Sequence, residues 1–157
     1  MTTHIGSTVL VPLDGSRDVR SALGPAAEIA ASGGGELVLL LVVTSGFVRM
    51  LDDHDDHDDF DHGTPAQAAA QYLKQVETGL VGELDDVAVR TVVRISENPA
   101  SEILAVADDL DVSLIAMTSH GYTGFKKLML GSVADTVLKT SRYPVLLVPI
   151  GDRSAGH

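Results

Sequence analysis

Unbroken apolar runs recur along this chain, with segments of helical spacing between them. Leu37 to Val43 and Val145 to Val148 are apolar at every position, and Ser7 to Leu13 and Val112 to Met117 are nearly so. A run with no polar side has no face to offer water, so each reads as a strand covered on both sides. Val87 to Ile95 alternates, with Arg90 and Arg94 among valines, and reads as an edge strand. Between the runs, Val19 to Ala31, Ala66 to Leu84, Ala100 to Leu110 and Val133 to Thr140 carry apolar residues at three- and four-residue spacing. Such alternation calls for an α/β fold: a single, doubly wound, five-stranded parallel sheet with right-handed crossovers and helices on both faces. With strand order 3-2-1-4-5, the turn after the first strand (Leu13, Asp14) meets the loop after the fourth (Thr118 to Gly121). Ligands of open parallel sheets sit at that place.

Local punctuation agrees. Ser16 is a candidate N-cap, Thr64-Pro65 and Asn98-Pro99 look like a cap followed by proline at the first helical position, and Gly33-Gly34-Gly35 reads as a C-cap and turn. Gly24-Pro25 interrupts the first helix. Thr44 to Gly63 reads as a long connection, polar after Leu51. One domain is expected over residues 1–150, with an acidic insertion at 52–62 and a frayed tail at 151–157.

The formal charge of −11 disfavours nucleic acid as a partner. Much of it is local, since seven aspartates lie between Asp52 and Asp61. No apolar run approaches the ~18 residues of a membrane span. The absence of cysteine fits a reducing compartment, and the N-terminus has no signal-peptide pattern, so a cytoplasmic protein is expected. In Asp52 to His62, His54, His57 and His62 among the aspartates offer metal-ligand chemistry. Like-charge repulsion and the lack of a supporting shell favour a solvated loop instead, so no metal site is assigned.

The chemistry concentrates at Met117-Thr118-Ser119-His120-Gly121, nine residues, then Gly131-Ser132-Val133. A glycine loop leaving a strand, followed by Gly-Ser at a helix start, turns several backbone N–H groups toward one anion. The bland alternative is a tight turn and an ordinary serine cap. It is neither a P-loop nor a GxGxxG fingerprint.

This motif resembles the G-x-x-G-(nine)-G-S/T signature of the universal stress protein family. Val11 to Ser16, Asn98 to Ile103 and Tyr143 to Pro149 resemble that family's first strand and turn, third helix start and last strand. The resemblance covers almost the whole chain except Phe47 to Gly63. Some members of the family bind ATP and some do not. Carried over by position, the resemblance implies an adenine nucleotide, ATP or AMP with or without Mg2+. Pro12, Leu13, Asp14 and Val42 would line its adenine end. Met117 and Thr118 would lie near ribose and adenine, and Gly121, Gly131, Ser132 and Val133 at the phosphates, with His120 in the same loop. Thr118 stands where the signature has its first glycine, and Glu97 where many relatives carry glycine. An inward Glu97 carboxylate would disfavour a polyphosphate.

The resemblance further implies a homodimer paired through Val145 to Val148, acting as a stress-response sensor or regulator. A nucleotide-free dimeric scaffold is the alternative, and a slow ATP hydrolase the third reading. No catalytic residue is assigned: His120 has no identified substrate proton or nucleophile, and Asp14 is better placed for binding. Lys126 and Lys127 would offset charge near the phosphates, whereas Lys139 reads as a solvated helix residue.

Overall fold

The computed structural model describes residues 7–16, 20–54, 63–80, 87–123 and 127–150, with backbone alone at 20, 54, 120–123 and 127–129. The central strand β1 (Thr8–Leu13) is flanked on one side by β2 (Glu36–Val43), in register from Thr8↔Glu36 to Leu13↔Leu41. Next to β2 lies β3 (Ala88–Ile95). On the other side, β4 (Leu114–Thr123) joins β1 through Val9↔Leu114 and Leu10↔Ile115. The last strand, Val145–Pro149, pairs parallel with β4 from Ile115↔Val145 to Ser119↔Pro149. The five parallel strands therefore run 3-2-1-4-5, as the sequence implies.

The fourth strand does not stop at Met117. It continues to Thr123 and pairs antiparallel with a short strand, β5 (Lys127–Met129), through His120↔Met129 and Thr123↔Lys127. The final parallel strand is thus β6 (Val145–Pro149). The extension escaped the sequence reading because it is polar and defined by pairing, not by burial.

Period-two alternation divides the core between two faces. Val9, Val11, Leu37, Leu39 and Leu41 pack on one face, beneath α1 (Arg20–Ser32) and α3 (Pro65–Leu80). Four alanines of α1, Ala22, Ala26, Ala27 and Ala30, are buried there and allow its backbone close to the sheet. Leu10, Val38, Leu40, Ile115 and Met117 pack on the other, beneath α4 (Pro99–Leu110) and α5 (Ser132–Thr140).

Caps fix the helix starts. Thr64 and Gln67 form a reciprocal capping box on α3, with Thr64 N–H donating to Gln67 Oε1 at 2.8 Å and Gln67 N–H to Thr64 Oγ1 at 3.2 Å. Asn98 Oδ1 accepts from Ser101 N–H at 3.2 Å at the start of α4. Ser16 differs from expectation: α1 begins at Arg20, and Ser16 N–H donates to Asp14 Oδ1 at 2.9 Å. The connection after Val43 also differs, because it opens with a further helix, α2 (Ser45–His54). Phe47, Val48, Met50 and Leu51 give α2 an apolar stripe, and all pack on the core. Asp55 to His62, most of the acidic run, and the tail 151–157 lie outside the described residues. Among the described residues no helix is long and apolar enough to cross a membrane.

Candidate functional site

The carboxyl ends of β1, β2 and β4 open onto a cleft of about 400 Å³, within the range of ligand sites. β1 and the turn after it supply Pro12, Leu13 and Asp14, β2 and its exit Val42 and Thr44, and β4 Met117 and Thr118. The start of α5 contributes Gly131, Ser132, Val133 and Ala134, α4 contributes Pro99 and Ile103, and α2 contributes Gly46, Phe47 and Met50. Most residues expected from the sequence thus meet in one place. Of His120 and Gly121 the backbone alone is described, as part of β4. The α2 wall was not anticipated, although the spacing of Phe47, Val48, Met50 and Leu51 carried the signal.

Asp14 is the one charged group among the described lining residues. Its turn is held from several sides. Ser16 N–H closes an Asx turn on its carboxylate, and the Tyr72 hydroxyl of α3 donates to Ser16 O at 2.8 Å. Burial, and then the negative charge of Asp14, push the Tyr72 hydroxyl up to about 12. Gly15 has φ +88°, and a Cβ there would stand 2.7 Å from Met50 Cε and 3.0 Å from Phe47 Cε2. Only glycine lets the turn and α2 close against each other.

Across the cleft, the serine expected to cap α5 does not do so. Gly131 occupies the cap position in extended conformation (φ −63°, ψ 159°) with no side-chain cap bond, and Ser132 is the first helical residue. The first N–H groups of a helix have no intrahelical acceptor, and here no side chain of the cap residue takes their place. The helix start also carries partial positive charge. Asp135 in the first turn is engaged by Lys139 at 3.0 Å on an exposed face, which accounts for that lysine. Lys126 lies outside the described residues.

Glu97 does not line the cleft. Its Oε1 accepts from Ser45 N–H at 2.8 Å and its Oε2 from Ser45 Oγ at 3.0 Å. The Glu97 carboxylate, which would oppose a polyphosphate if it pointed inward, is therefore turned onto α2. Thr118 does line the cleft and is half-buried. Beside it, Ser119 is fully buried and its Oγ has no hydrogen-bond partner among the described residues. Among the described residues no group of three or more His, Asp or Glu side chains is arranged to hold a metal. The cleft therefore offers apolar walls, one anionic acceptor at Asp14 and, at the start of α5, backbone donors without a side-chain cap, which suits a ligand with an apolar ring and an anionic end.

A doubly wound parallel sheet with a cleft at its switch point defines a class of α/β domains that bind small ligands beyond their strand ends. Within that class the sequence model of the universal stress protein family matches residues 7–149, and the chain belongs to this family. Universal stress protein YxiE of Bacillus subtilis is 31% identical over 148 residues, covering 89% of this chain and 97% of that one. Universal stress protein MJ0577 of Methanocaldococcus jannaschii is 48% identical over 50 residues, which span 32% of this chain and 31% of that protein. The solved structure of MJ0577 aligns over 94% of this chain and 99% of its own at a TM-score of 0.63 and 25% identity. Two further neighbours share the fold and were solved with nucleotides. One, a universal stress protein in complex with cAMP, has a TM-score of 0.60 at 19% identity, covering 92% of this chain and 98% of that one. The other, from Archaeoglobus fulgidus in complex with dAMP, has a TM-score of 0.58 at 16% identity, covering 90% and 97%.

Proposed function

We propose that the cleft binds an adenine nucleotide, ATP or AMP, and that the protein acts as a nucleotide-dependent sensor or regulator in a stress response. The observation that carries this reading is the start of α5. Gly131 leaves the N–H groups of Ser132, Val133 and Ala134 without a side-chain cap, at the edge of an apolar cleft. Such a helix start favours a phosphate. Asp14, at the other end, is an acceptor matched to the exocyclic amine of adenine, with Pro12, Leu13 and Val42 against the ring. Met117 and Thr118 would lie near ribose and adenine, and Gly121, with His120 in the same segment, at the phosphates. The cAMP and dAMP complexes of the two structural neighbours support the ligand class. Binding and release, not chemistry, would carry the signal. We further propose that two copies pair through Val145 to Val148.

Melting the protein with millimolar ATP or AMP, with and without magnesium, tests the reading. A nucleotide at a hundredfold excess over its dissociation constant stabilises the native state by about 2.7 kcal/mol. For a chain of this size that is a rise of roughly 5–10 °C. Gly131→Val, which puts a branched side chain at the phosphate end, should abolish the rise while the folded circular dichroism spectrum persists. An unshifted wild-type melt at these concentrations would leave the nucleotide-free scaffold, which Thr118 in the cleft favours.

A further inference from the structure

We infer that Glu97 is a positioning residue that latches α2 against the cleft and thereby sets how fast a ligand enters and leaves. The inference rests on the nucleotide reading only for the identity of the ligand.

The helix α2 is joined to β2 by a single residue, Thr44, and carries Phe47 and Met50 into the cleft wall. Phe47 is buried, and both side chains press on the Asp14-Gly15 turn. Beside the apolar packing of Phe47, Val48, Met50 and Leu51, the first turn of α2 carries polar ties. Thr44 Oγ1 accepts from Phe47 N–H at 3.1 Å, and both Glu97 oxygens accept from Ser45. The Glu97 bond spans 52 positions of sequence and reaches α2 from the loop between β3 and α4. That loop is itself anchored: Ser96 N–H donates to Val43 O at 3.0 Å, and Asn98 N–H to Ser96 Oγ at 3.0 Å. Glu97 therefore ties one wall of the cleft, α2, to the base of another, the start of α4 with Pro99 and Ile103.

The charges make the two ends of α2 unequal. A carboxylate at a helix N-terminus is favoured by the helix dipole, whereas carboxylates in the last turn oppose it. Glu97 supplies the first, and exposed Asp52 and Asp53 supply the second. With its far end electrostatically opposed, α2 draws on the bonds at its near end in addition to its apolar packing. Releasing them would free Phe47 and Met50 from the Asp14 turn without disturbing the sheet. A helix held this way opens locally at a cost well below global unfolding.

Two measurements on the full chain decide the matter. In ligand-free protein, Glu97→Ala should speed amide hydrogen exchange of residues 47–51 by about tenfold, with α4 and α1 unchanged. Glu97→Gln, which keeps one acceptor and can donate to Ser45 Oγ, should restore most of the protection. Unchanged exchange in Glu97→Ala overturns the latch whether or not any nucleotide binds. The second measurement is the dissociation rate of a fluorescent adenine nucleotide, chased with unlabelled ATP. Glu97→Ala should raise it several-fold, with Glu97→Gln between the two. A rate unchanged while exchange accelerates overturns the control of access. If the wild-type protein takes up no nucleotide, the ligand reading fails alone, and the exchange contrast still rules on the latch.

Discussion

The turn at Asp14 is held by its neighbours, and Tyr72 is the neighbour with the clearest consequence. The hydroxyl donates to Ser16 O at 2.8 Å, and its burial, then the Asp14 charge, raise it from 10.0 to about 12. In the folded state the proton therefore stays on through a range where the unfolded chain releases it. The resulting stabilisation is complete below pH 10 and is lost as pH rises toward 12. Tyr72→Phe should cost about 1 kcal/mol at pH 8, where the lost hydrogen bond is the main effect. Between pH 10 and 12 its stability should fall less steeply than that of the wild type. Urea midpoints of both proteins at pH 8 and pH 11 check this, and the other tyrosines cancel in the comparison. Parallel curves would mean that the phenol does not hold its proton as the structure indicates. Residues of this kind were only half legible in the sequence. Asp14 before glycine marked a turn, but nothing local announced Tyr72, which arrives from 56 positions away. The direction of Glu97 was equally hidden, because it is set by where Ser45 lies in space.

At the level of elements, α4 displays what a sequence announces well. Asn98-Pro99 marked its start, and Asn98 caps it. Its end falls at Asp111, a non-glycine residue with φ 48°. Asn98→Ala should cost about 1 kcal/mol, because Ser101 N–H loses its acceptor. Asp111→Gly should gain about 0.5–1 kcal/mol, since it relieves a left-handed backbone and removes a negative charge from the helix C-terminus. Opposite shifts of the denaturation midpoint from the two ends of one helix would support both statements, and a midpoint lowered by Asp111→Gly would sink the second. The strands were legible for a different reason: buried parallel strands must be apolar on both faces, so Leu37 to Val43 could hardly be anything else. The same logic explains the misses. The β4 extension from Thr118 to Thr123 is polar, and its outer part and the three-residue β5 are defined by pairing with each other. In α2, a short apolar stripe runs straight into aspartates, and the acidic sequel masked the helical spacing. That miss left one wall out of the expected cleft, whereas residues read from the β1 turn, the end of β4 and the start of α5 do line it.

The sheet as a whole has two unlike edges. On β3, exposed Arg90 and Arg94 interrupt the strand, and Arg90 bridges to Glu36 at 3.1 Å. Charges of this kind deter another strand from adding to an edge. On β6, Val145, Leu146, Leu147 and Val148 are half-buried and none is charged. The strand is held from within the chain by its entry segment. Both the Tyr143 hydroxyl and Arg142 Nη2 donate to Asp108 Oδ1 at 2.6 Å, and the Arg142 guanidinium lies 5.3 Å from the Tyr143 ring centre. The Tyr143 hydrogen bond, with the charge of Arg142, holds the Asp108 carboxyl below the usual carboxylate range. This anchorage fixes the start of β6 independently of anything that pairs along its outer side. If two copies pair there by a two-fold axis, every contact is made twice, so one added charge acts twice at short range. Leu147→Lys should therefore halve the mass measured by light scattering, while Arg94→Ala on the opposite edge leaves it unchanged. Because Leu147 also packs on the core, the variant is to be compared at a temperature where its circular dichroism spectrum still matches the wild type. A wild-type mass of one chain, or a Leu147→Lys protein that keeps the mass of two, would remove β6 as the pairing edge.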